Sequence, residues 1–138
     1  MDYRMRHQPD PEGPAMHEAG LAFPNIYEIP RAYTSGIGNA DAESMLAISR
    51  ARSNPGAMIR IYRAAPQGVT QINPGDWVTP SKHYATIHGM HPEDPALDSP
   101  VISMIVPAAE LRTEGNSINE WGWFPDQANV PTSENWPE

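Results

Sequence analysis

Cysteine is missing from all 138 residues, so the chain forms neither disulfides nor zinc-thiolate centres, and its redox compartment cannot be read from thiol usage. Basic residues are scarce. Nine Lys and Arg stand against 17 Asp and Glu, a formal charge of −8. Phosphate contact needs clustered cations, so general nucleic-acid or membrane-surface binding is not expected. No apolar run reaches the length of a signal-peptide core or a membrane span, which points to a soluble, cytoplasmic protein. The GxGxxG, Walker and HExxH patterns are absent, and no Ser-His-Asp nucleophile context is visible. His83 and His88 lie on different sides of any helix that holds both, and Gly89 separates them from His91, so no metal site is expected. What the chain has in quantity is turn chemistry, with 16 prolines and 10 glycines. Its length suits one domain with one core, and no internal repeat is present.

Residues 1–20 are polar and aperiodic and read as an N-terminal arm. Residues 21–125 read as the folded domain, and 126–138 as a Pro-rich acidic tail. Within the domain, Leu21 to Tyr33 is broken by Pro24 and Pro30 and reads as an extended segment packed on the core. Asp41 to Ser53 reads as a helix, with Asn39 as cap, acids early, arginines late, and an apolar stripe of Ala42, Met45, Leu46 and Ile48. Met90 to Pro100 reads as a loop. Val101 to Val106 is apolar on both faces, as a buried central strand would be. Pro107 to Leu111 suits one helical turn, and Glu120 to Phe124 a strand with Trp121 and Trp123 on one face.

The most informative stretch is Met58 to Gly89. Met58 to Ala64 alternates, placing Ile59, Ile61 and Arg63 on one face. An arginine closing an apolar face needs an anion or carbonyls to meet it. A turn region follows, then a short strand, Asp76 to Thr79, and a helix that starts near Thr79-Pro80-Ser81 and stops at Gly89.

The ordered set YRAAP, INPGDWVTPSKHYATIHG, VISMIVPAAEL and GNSINEWGWFP resembles the arginine–serine–glutamate group of ADP-ribosyltransferases. In particular, it is similar to small domains of that kind encoded by bacteriophages and prophages. The likeness spans Asp41 to Pro125. It implies a compact α+β fold: two small, mostly antiparallel sheets around an NAD cleft, with flanking helices. It also implies transfer of ADP-ribose from NAD to an acceptor, or NAD hydrolysis, without a metal.

By the same resemblance Glu120, Arg63 and Ser81 are the catalytic set. Arg63, Ala64, Thr79, Ser81 and Tyr84 bind the dinucleotide. Glu120 would stabilise the oxocarbenium-like ribose, and Arg63 would hold a phosphate or ribose edge. Ser81 would order the glutamate through its hydroxyl. The Ala64 backbone would read the carboxamide, and Tyr84 would face the nicotinamide ring. A protein acceptor or partner is implied.

Plainer readings stand beside these. Arg63 pairs with an acid at the core edge, Ser81 only caps a helix, and Glu120 is a solvated strand residue. The sequence also departs from the family pattern. Thr79-Pro80-Ser81 replaces the frequent Ser-Thr-Ser, so the serine station could slip by two residues. Ile118 stands where arginine-modifying members carry a second glutamate. The alternative function is therefore an inactive interaction or structural module of a phage, or an inhibitor that binds a host protein.

Overall fold

The alternating run at the centre of the sequence folds as strand β1 (Met58–Ala64), with Ile59 and Ile61 buried and Arg63 half-buried on one face. The computed structural model describes residues 9–128 and 130. Its other strands are β2 (Trp77–Val78), β3 (Val101–Pro107), β4 (Leu111–Arg112) and β5 (Trp121–Trp123). Among the described residues two α-helices, α1 (Gly38–Ala51) and α2 (Lys82–His88), and several short 3-10 segments complete a small α+β fold.

The strands form two antiparallel sheets. β1 pairs with β3 along its whole length, Met58 opposite Pro107 and Ala64 opposite Val101. The second sheet runs β2-β5-β4. The sheets touch at one bridge: the Tyr62 amide donates to the Thr79 carbonyl at 2.8 Å, and the Thr79 amide returns a bond to Tyr62 at 3.0 Å. Trp121, Ile118, Ile61, Ile48, Phe23 and Met16 meet in one core. The Trp121 indole N–H is satisfied by the Ile118 carbonyl, so the largest core side chain leaves no orphan donor. Among the described residues, no helix is long and apolar enough to cross a membrane.

Four expectations change. The expected arm does not lie free after Asp10: Gly13 to Met16 and Ala19 are buried, Ala15 bridges Arg112, and a 3-10 turn spans Met16–Leu21. Small residues and a flexible Met fill the core edge there, a signal with no period to read. Residues 1–8 lie outside the described residues. The segment from Leu21 to Tyr33 is wound into turns around Phe23 and Asn25, whose φ is +65°, and is not extended. Helix α1 begins at Gly38 and buries Ala40, Asp41, Ser44, Ile48 and Ala51. Ala42 and Leu46 of the expected stripe are exposed. Finally, β3 belongs to a two-stranded sheet and is half-buried, with Ile105 at 47% exposure.

Segments near the two ends of the described region are tied by Arg112. Its buried guanidinium donates to the carbonyls of Gly13, Gln127 and Val130. Gln127 and Val130 thus attach the described part of the expected tail; residues 129 and 131–138 lie outside the described residues. Burial pushes the Arg112 pKa below the ordinary guanidinium value, and the nearby Glu18 charge works in the opposite direction. At Gly13 the close approach is to backbone: a Cβ would sit 2.0 Å from the Thr113 carbonyl oxygen. Gly13→Ala is expected to cost about 1–3 kcal/mol in a urea melt, the scale of overpacking. Gly38→Ala, with nothing near its added methyl, should be neutral or slightly stabilising. Equal effects of the two would contradict the packing described.

Candidate active site

The sheets diverge on either side of the Tyr62–Thr79 bridge, and a cleft of about 680 Å³ opens between them. One wall is Tyr62, Arg63 and Ala64 at the end of β1; the other is Gly75 to Thr79. Tyr84, Ala85 and His88 of α2 close one side, and Asn119 and Glu120 enter from the turn before β5. The cleft exists because β1 runs on past the bridge through Arg63 and Ala64 while Trp77 and Val78, across from them, pair with β5 instead. Gly89 lets α2 end against the β1 sheet: a Cβ there would lie 3.1 Å from that of Ala64 and 2.8 Å from the Ser99 carbonyl oxygen.

Arg63 is held loosely. Its Nε lies 3.7 Å from Asp76 Oδ2, beyond hydrogen-bond reach. Its Nη1 is buried and meets no hydrogen-bond acceptor among the described residues. A buried guanidinium N–H without an acceptor is costly, and the side chain as a whole, 25% exposed, borders the cleft. Asp76 is itself oriented, accepting the Asn73 amide at 2.8 Å in the Asn73-Pro74-Gly75 turn.

Glu120 is held firmly. The Tyr84 hydroxyl donates to its Oε2 at 2.5 Å. The Tyr84 ring packs on the His88 imidazole, with centroids 4.3 Å apart. Behind Glu120, the fully buried Asn119 is fixed from two directions. Its amide nitrogen donates to Asp41 Oδ1 at 3.1 Å and to Ser35 Oγ at 3.3 Å, and its amide oxygen accepts from Ser44 at 2.5 Å. Asp41 also accepts the Ser35 amide and hydroxyl. This polar knot joins α1, the loop before it and the glutamate turn. Sequence reading missed it, because Asn119 looks like an ordinary loop residue and Asp41 like a first-turn helix acid.

Ser81 lies elsewhere. It is fully buried behind the cleft wall and caps α2, its Oγ accepting the Tyr84 amide at 2.9 Å. Its hydroxyl donates to Glu43 Oε1 at 2.6 Å, so its carboxylate partner comes from α1 and is not Glu120. Glu43 also accepts the His83 amide, giving α2 a second cap. The expected direct serine–glutamate link is thus corrected. The residue two positions earlier, Thr79, faces the cleft, as do Arg63, Ala64, Tyr84 and Glu120.

No known family, curated protein or solved structure matches the chain. The residues alone must carry the functional reading. They bring together a cationic donor, an oriented carboxylate and a phenol around one hollow large enough for a nucleotide-sized ligand.

Burial pushes the Asp41 pKa up, but the hydrogen bonds from Ser35, Asn119 and the Gly36 backbone outweigh it and hold it below the ordinary aspartate value. A lowered folded-state pKa contributes stability above the unfolded-state pKa, and that contribution fades as pH falls through the folded value. Asp41→Asn is expected to lose about 1–3 kcal/mol at neutral pH. The gap to the unsubstituted protein should narrow below about pH 4. Urea melts at several pH values read it; a gap that does not change with pH would remove the charge from the explanation.

Proposed function

We propose that the protein is an NAD-dependent mono-ADP-ribosyltransferase that hydrolyses NAD when no acceptor is present. The observation that carries this reading is the meeting of Arg63 and Glu120 at one cleft, from segments far apart in sequence. Their order in the chain, with Thr79 and Tyr84 between them, is that of the family the sequence resembles. On this reading the two sheets are a small ADP-ribosyltransferase-like fold.

The chemistry follows from the charges. The bond between the ribose C1′ and the nicotinamide nitrogen breaks, its electron pair leaves with neutral nicotinamide, and positive charge develops on the ribose. Glu120 stabilises that charge and accepts a hydrogen bond from a ribose hydroxyl. A nucleophile on the acceptor then bonds C1′ and loses its proton; water in the same place gives free ADP-ribose. Arg63, 25% exposed at the cleft wall, offers its guanidinium to a phosphate oxygen. The Ala64 backbone and the Tyr84 ring border the nicotinamide, and Thr79 takes the hydroxyl station. The acidic charge of the chain favours a protein acceptor or partner over nucleic acid.

A second reading, an inactive interaction module, rests on the altered serine motif and on Ile118. The two separate on nicotinamide release from NAD by the purified protein. Release is expected, falling at least about a hundredfold in Glu120→Gln, the scale for losing a transition-state charge partner. Equal release by both proteins takes Glu120 out of the mechanism; none, with no NAD-dependent rise in Tm, favours the module.

A further inference from the structure

We propose that Tyr84 is the positioning residue for Glu120, and that Ser81 acts on the carboxylate only through it. This assignment rests on the transferase reading above. A carboxylate that must stabilise a developing charge works best when its oxygens are fixed before reaction. In this chain the hydroxyl that meets Glu120 is a phenol from the first turn of α2, at 2.5 Å. The phenol is placed in turn by its surroundings. Its own amide is bonded to Ser81 Oγ, Ser81 is bonded to Glu43, and the ring lies against His88. Tyr84 is 8% exposed, so the ring has little room to swing away.

The relay therefore runs from α1 through the α2 cap to the cleft. Glu43 fixes Ser81, Ser81 fixes the start of α2, and Tyr84 fixes Glu120. The Tyr84 hydroxyl directs one carboxylate oxygen, Oε2, away from rotation about the terminal torsion, which is otherwise broad and soft. The role differs from that of a ring platform, since a platform needs the aromatic face and a positioning donor needs the hydroxyl.

Tyr84→Phe separates the two, because it keeps the ring and removes only the donor. Steady-state nicotinamide release should show kcat lowered about tenfold, with KM for NAD within about twofold of the unsubstituted value, the pattern of an interaction expressed in the transition state. A raised KM with kcat intact would make Tyr84 a binding contact and overturn the proposal; so would unchanged kinetics.

A urea melt without NAD tests the bond apart from turnover. The stability losses of Tyr84→Phe and Glu120→Ala, each of which removes one partner of the bond, should fail to add in the double variant. Additive losses would overturn the contact itself. If the unsubstituted protein releases no nicotinamide, the transferase reading falls and this assignment falls with it. In that event non-additive melts would mark the Tyr84–Glu120 bond as purely structural.

Discussion

Two reciprocal backbone hydrogen bonds between Tyr62 and Thr79 set the geometry of the whole molecule. They tie the β1–β3 sheet to the β2-β5-β4 sheet at one point and leave both free to diverge from it. Residues just past the bridge on β1, Arg63 and Ala64, then face residues on the other sheet across a gap. A continuous sheet would have zipped that gap with a ladder of bonds. A complete separation would have left Arg63 at an open edge. The cleft is a consequence of pairing that stops after one bridge: Trp77 and Val78, which precede Thr79, pair with β5 and do not continue the ladder to Arg63 and Ala64.

The walls are stiffened from behind by polar contacts, which is unusual in so small a core. Asn119, Asp41, Ser44 and Ser35 form one buried or half-buried network, and Glu43 with Ser81 forms a second. Both start on α1; the first ends on Asn119, the residue before Glu120, and the second on the backbone amide of Tyr84. Hydrogen bonds are directional where apolar contacts are not, so such networks fix orientation as well as distance. Buried polar groups are costly unless satisfied, and these satisfy one another. Helix α1 thus serves the proposed active site without touching it, save through these links.

Much of this was legible in the sequence, for identifiable reasons. The alternation of Met58 to Ala64 made β1 and the inward face of Arg63 readable. Turn chemistry at Asn73-Pro74-Gly75 and the stop at Gly89 bounded β2 and α2. What was not legible depended on contacts distant in sequence. The buried face of α1 carries Asp41 and Ser44, which an apolar stripe cannot reveal. The apolar run of β3 says nothing about how many strands will cover it, and among the described residues only β1 pairs with it. The serine station depended on where a helix cap falls, and a shift of two residues moved Ser81 out of the cleft and left Thr79 in it. The N-terminal residues that reach Thr113 and Arg112 offered no period, because a glycine and a few small side chains do that packing.

The central claim is that the hollow beyond the Tyr62–Thr79 bridge binds NAD between Arg63 and Glu120. A crystal structure of the Glu120→Gln variant grown with NAD tests it most directly. The dinucleotide is expected in that cleft, with a phosphate oxygen on the Arg63 guanidinium and the nicotinamide ribose beside residue 120. NAD bound elsewhere on the surface, or an occupied cleft with Arg63 turned away from the ligand, would contradict it.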